Sequence, residues 1–203
     1  MGLISNGTTI FDAGAIDSGV PTGAMSVMKK LTASSSATLS FVHGSGGVDF
    51  STFKEYLFMF TSIHPQTDNV QFSFNGSVDA GSNYNVTKTT THIDVYQSES
   101  NQANVLEFGG SHLDSSTDFQ ILVNDQGNAA DENLCGYLHL YNPSSTTFVK
   151  HFLASFDRVG YNEYGAQQHY GGYFNNTADI DALQFKFSSG NIDAGTITLY
   201  GIS

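Results

Sequence analysis

Val70-Gln71-Phe72-Ser73-Phe74 places an apolar side chain at every second position, and Leu183-Gln184-Phe185-Lys186-Phe187 repeats the pattern near the other end of the chain. A period of two sends alternate side chains to opposite faces of an extended strand. A helix would instead need its apolar residues three and four apart. Outward from these stretches the alternation recurs at Phe119, Ile121 and Val123, and at Ile197 and Leu199. In the run 147–156, Phe148, Phe152 and Phe156 are expected to share one face, opposite Val149, His151 and Leu153. β-branched and aromatic residues, which suit a pleated surface, dominate these runs. Tyr56-Leu57-Phe58-Met59-Phe60 is apolar on both faces, so a central strand covered on both sides is expected there.

Turn chemistry separates the runs. Asn75-Gly76, Asp79-Ala80-Gly81, Asn142-Pro143-Ser144-Ser145 and Ser188-Ser189-Gly190-Asn191 read as turns or loops. Strands are expected near 24–31, 37–43, 53–62, 70–76, 85–96, 104–108, 118–124, 134–142, 147–157, 168–175, 181–188 and 192–201. Short strands at this spacing imply an all-β, single-domain, jelly-roll-like β-sandwich over 24–203. Residues 1–23 differ: Gly2, Gly7, Gly14, Gly19 and Gly23 punctuate small and polar residues. This reads as an extended N-terminal arm, with Leu3, Ile4, Ile10 and Phe11 as candidate contacts to a capsid or a neighbouring subunit. An edge strand packed on its own domain is the other reading.

Charge narrows the partners. Of 203 residues only 13% are charged, against roughly 25% in a typical soluble protein. The net charge of −12 repels phosphate backbones and anionic headgroups, so neither nucleic acid nor membrane is an expected partner. Arg158 is the sole arginine, which leaves no arginine pair for bidentate phosphate recognition. Cys135 is the sole cysteine, so no internal disulfide forms. No run reaches the about 18 apolar residues of a membrane-spanning helix, and residues 1–6 lack the basic and apolar parts of a secretory signal.

Catalytic signatures are sparse. No Gly-x-Ser-x-Gly elbow occurs, and Ser26-Val27-Met28-Lys29 lacks the companion motifs of a Ser-x-x-Lys enzyme. His43, His64, His92, His112, His139, His151 and His169 never fall within four residues of one another. The oxygen-rich loop 125–133 lacks the spacing of a calcium-binding loop and reads as a solvated turn. Glu55, Glu99, Glu107, Glu132 and Glu163 are scattered, without the paired carboxylates of a jelly-roll glucanase, and there is no Trp to stack on a sugar. The expectation is a protein without catalytic residues, metal or cofactor. One aromatic cluster stands out: Tyr161, Tyr164, Tyr170 and Tyr173 lie among glycines, with His169 and Phe174. Tyrosine offers a ring and a hydroxyl at low entropic cost, so the cluster is a candidate contact for a partner or glycan. A hairpin whose rings fill one end of the sandwich is the alternative.

Three stretches carry a resemblance. The opening Met1-Gly2-Leu3-Ile4-Ser5-Asn6-Gly7-Thr8-Thr9, the central Tyr137-Leu138-His139-Leu140-Tyr141-Asn142-Pro143-Ser144-Ser145-Thr146-Thr147-Phe148-Val149-Lys150-His151-Phe152 and the closing Phe187-Ser188-Ser189-Gly190-Asn191-Ile192-Asp193-Ala194-Gly195-Thr196-Ile197-Thr198-Leu199-Tyr200-Gly201-Ile202 resemble small β-rich proteins of tailed phages of marine bacteria, including cyanophages. The resemblance implies a virion structural protein assembled in the bacterial host cytoplasm, with other virion proteins as partners (the major capsid protein or tail proteins). It supplies no functional residues. A capsid decoration, or cement, protein that forms homo-oligomers such as trimers is the first expectation. A tail-fibre tip or receptor-binding protein that adheres to host glycans is the second.

Overall fold

The computed structural model describes residues 3–5, 8–12, 15–16, 24–101 and 104–203. Among them are fifteen strands and no helix. The smaller layer of a β-sandwich orders β10 (Gln120–Gln126), β7 (Val70–Ser77), β14 (Ala182–Phe187) and β5 (Leu39–Val42). The larger layer orders β4 (Met25–Thr32), β15 (Ile192–Ile202), β6 (Glu55–Pro65), β11 (Leu134–Tyr141), β12 (Lys150–Val159), β13 (Tyr164–Phe174), β8 (Lys88–Ser98) and β9 (Asn104–Phe108). A third, separate sheet holds β1 (Leu3–Ser5), β2 (Thr8–Asp12) and β3 (Ala15–Ile16).

Pairing in the sandwich is nested. β8 pairs with β9, β7 with β10, β6 with β11 and β5 with β14, all antiparallel. Such nesting describes one long two-stranded ribbon wrapped over itself, which is how a jelly roll closes its two sheets. β12 and β13 are inserted between β11 and β8 and widen the larger layer, while β15 and β4 extend its opposite edge.

About ten strands are expected from the twelve candidate stretches, and all twelve stretches have a counterpart among β4 to β15. The differences are local. β12 starts at Lys150, so Phe148 lies in the loop before it and is exposed, while Phe152 and Phe156 point inward as expected. Asn75-Gly76 is not a turn: both residues lie inside β7. The buried Asn75 amide donates to the carbonyls of Tyr84 (2.8 Å) and Thr117 (2.9 Å). A Cβ at Gly76 would meet the Phe174 ring at 2.8 Å, so the glycine serves close packing rather than chain reversal. Met59 is 42% exposed, so β6 is covered fully on its inner face alone.

Within the stretch expected to extend as an arm, β1 to β3 pair with one another, Phe11 lying opposite both Leu3 and Ile16. Of the proposed arm contacts, Leu3 is in β1, Ile10 and Phe11 are in β2, and Ile4 is an exposed residue of β1. Residues 1–2, 6–7, 13–14 and 17–23 of that stretch lie outside the described residues.

Phenylalanines from both layers fill the core. Phe185 of β14 lies 5.0 Å from Phe60, 5.6 Å from Phe58 and 6.1 to 6.3 Å from Phe41, Phe72 and Phe74, centroid to centroid. Edge-to-face and offset pairs of this kind add about 0.5–1.5 kcal/mol each to the burial itself.

Candidate functional site

The inner face of the larger sheet changes character along single rows of paired residues. One row runs Ile197, Phe60, Gly136, Phe156, Gln168, Asp94 and Glu107. It is apolar beneath the smaller sheet and polar beyond it. The smaller sheet ends at β10, which packs over β12 and β13. Asp94 and Tyr96 of β8 and Glu107 of β9 lie past that edge and are half-buried or exposed, whereas Lys88, Thr90 and His92 on the same face of β8 are buried. The next row runs Ile63, Leu134, Arg158, Ala166, Tyr96 and Val105, and its outer half is mixed, with Arg158 and Tyr96 set among Ala166 and Val105.

The polar ends of these rows border a cleft of about 380 Å³ that Asp94, Tyr96, Glu107, Arg158 and Tyr164 line together with Asn124 and Asp125. The volume falls within the roughly 300–1,000 Å³ of small-molecule sites. Tyr96 of β8 and Tyr164 of β13 meet edge to face, 5.8 Å apart at 74°, and form an aromatic wall. Asp94 and Glu107 are direct cross-strand partners, so their carboxylates face the same space. Like charges so opposed destabilise a strand pair.

The floor is held in place by hydrogen bonds. Gln168 donates through Nε2 to Asp94 Oδ2 (3.1 Å), and the Asn124 backbone N–H donates to Gln168 Oε1 (2.9 Å). Asn124 Nδ2 donates in turn to Ser111 Oγ (2.8 Å). Arg158 is 6% exposed; its Nη2 lies 3.7 Å from Asp125 Oδ2, and its Nη1 donates to the Asp125 carbonyl at 3.4 Å. Burial pushes the guanidinium down from its usual value, and Asp125 and Asp94 oppose that shift. Among the described residues Arg158 Nε and Asp94 Oδ1 have no hydrogen-bond partner although both are buried. A Cβ at Gly160 would meet Arg158 Nη1 at 1.8 Å, so a glycine there makes room for the guanidinium.

The four tyrosines of the sequence cluster go to four environments. Tyr164 lines the cleft. Tyr170, only 3% exposed, stacks on His92 at 4.3 Å inside the sandwich, and burial pushes its hydroxyl far above the usual tyrosine range. Tyr170 is therefore a core residue and not a surface contact. Tyr173 sits on the opposite, outer face beside His151, 5.8 Å away. Tyr161 is exposed in the turn between β12 and β13.

The outer face of β8 and β9 carries an apolar patch. Ile93 pairs with Phe108 and Val95 with Leu106, and all four are exposed, Leu106 by 74% and Phe108 by 93%. β9 is also the edge of its sheet.

Glu132 and Cys135 are internally engaged. In the loop 125–133 Glu132 accepts the Ala129 backbone N–H at 2.7 Å. Cys135 is an exposed free thiol whose sulfur accepts the Ser62 backbone N–H at 3.3 Å. No three His, Cys, Asp or Glu residues converge on a metal position among the described residues. No helix among them is long and apolar enough to cross a membrane. Compared with protein-family models, curated proteins and solved structures, the chain gives no match in any of the three.

Sequence reasoning missed Asp94, Glu107 and Tyr96 as site residues. They come together through strand register, which no local motif records. The sole arginine was the one available signal.

Proposed function

We propose that the chain is a structural protein of a tailed-phage particle, a capsid decoration protein without enzymatic activity. It docks through the outer face and free edge of β9. The observation that carries this reading is the exposed apolar quartet Ile93, Val95, Leu106 and Phe108 on an edge strand. An edge strand presents unpaired N–H and C=O groups, and soluble proteins commonly guard such edges with charge. Here Glu107 is the only charged residue in β9, and its neighbours on both sides are bare and apolar. Exposed apolar surface of this kind marks contact with another protein. The sequence resemblance supports shell proteins and sister copies, a trimer included, as the partners. The particle would then assemble in the cytoplasm of the bacterial host.

Particle binding tests the reading. Wild-type chain added to undecorated heads should co-sediment with them, and a Leu106→Ser/Phe108→Ser variant should not. Full binding by that variant would overturn the docking role of β9. Counting copies in purified particles separates the two placements: many per particle fits decoration, and a handful moves the chain to a tail tip, the adhesive alternative.

A further inference from the structure

We infer that the cleft between β8, β9 and β13 is a saccharide-binding site for a neutral, polyhydroxylated glycan. The inference holds whichever place on a particle the chain occupies, because the cleft and the apolar quartet lie on opposite faces of the same strands.

Three observations converge. The first is the wall of Tyr96 and Tyr164, which offers ring surface to the apolar face of a sugar. The second is the opposition of Asp94 and Glu107, a like-charge pair that costs the fold stability although Gln168 bonds Asp94 Oδ2, and that leaves Asp94 Oδ1 without a partner among the described residues. A pair of hydroxyls donating to the two carboxylates would relieve that cost. The third is Arg158, more than nine-tenths buried, lining the cleft with an unsatisfied donor at Nε. A buried donor without a partner is expensive, and a small shift of the guanidinium toward a ligand acceptor in the cleft would satisfy it.

Charge selects the ligand class. Asp94, Glu107 and Asp125 outnumber Arg158 in the lining, so an anionic sugar is repelled. A cationic ligand offers donors to the carboxylates but no acceptor to Arg158. A neutral hydroxyl both donates and accepts, and a sugar ring carries several beside an apolar face.

Calorimetric titration of the full chain with maltohexaose, laminarihexaose, xylohexaose and mannohexaose tests this, with trigalacturonate and spermidine as charged controls. At least one neutral hexamer should bind with Kd of about 0.1–1 mM. Tyr164→Ala and Glu107→Gln should each weaken that binding by about tenfold or more. Glu107→Gln should hold or raise the unfolding midpoint, because it removes the carboxylate repulsion. A purely structural role for Glu107 would lower it. Should Tyr164→Ala fail to fold, Asn162→Ala, on an exposed lining residue, reads the same loss. The inference is overturned if folded wild type binds none of the four hexamers at about 10 mM, if either charged control binds more tightly than every hexamer, or if the lining variants bind as wild type does.

Discussion

The two ends of the larger sheet's inner face share strands and register yet carry opposite chemistry. Under the smaller sheet a row of paired residues reads Phe60, Gly136, Phe156; at β10 the same row reaches the fully buried Gln168, and past it reads Asp94 and Glu107. Covered positions make the fold, because burying their area supplies the largest favourable term. Uncovered positions are released from that duty and can hold groups that a folding optimum would not choose. The cleft sits where the second layer stops.

The comparison breaks most readily at the covered end. Phe185→Ala removes the ring at the centre of the phenylalanine cluster and should cost about 3–5 kcal/mol in denaturant unfolding. A loss under about 1 kcal/mol would mean that this cluster is not the source of stability.

Lys88, fully buried at the inner end of β8, gives the next effect. It donates through Nζ to Asn75 Oδ1 (2.6 Å) and to the Val86 carbonyl (2.8 Å), and burial pushes its ammonium down from 10.5 to about 7. Above that value the folded chain has released a proton that the unfolded chain still holds, so stability rises with pH until the unfolded lysine also titrates. Between about pH 7 and 9 the gain is at most about 2 kcal/mol. Lys88→Met should flatten this slope; equal slopes in both proteins would show that Lys88 stays charged in the fold.

Gly160→Ala probes the boundary between the two ends. Its methyl group displaces Arg158, so a loss of about 1–3 kcal/mol is expected, and thermal unfolding beside wild type measures it. An unchanged midpoint would mean that the guanidinium has room to move aside.

The smallest effect belongs to the outer face. Leu106→Ser and Phe108→Ser should each change stability by no more than about 0.5 kcal/mol, since neither side chain is buried. A larger loss would make the quartet part of the fold rather than a contact surface.

The sandwich was legible because its main signal is local. Val70–Phe74 and Leu183–Phe187 each declare an inner face within five residues, and both became neighbouring core strands. The reading of Asn75-Gly76 as a turn failed for a complementary reason. Dipeptide chemistry favours a reversal there, but Phe174, distant in sequence, needs the missing Cβ. Met59 looked buried on composition alone, although its side chain on the outer face of β6 is 42% exposed. Lys88 and Lys150 are both fully buried, and no local pattern marks them as core residues. The cleft was the least legible part. Its residues come from β8, β9, β10, β12, β13 and the adjoining loops, and only their register brings Asp94 to Glu107 and Tyr96 toward Tyr164.

Nested pairing also governs the order in which the chain can mature on the ribosome. β8 and β9 adjoin in sequence and can zip as soon as both emerge, whereas Gln184 of β14 bonds to Ser40 of β5 across 144 residues. Closing so long a loop is slow, and β5 and β7 must wait for nearly the whole polypeptide before β14 slots between them. Until then the phenylalanine-rich faces stand open to aggregation. Synthesis halted before β14 should therefore yield insoluble chains, not a smaller folded unit.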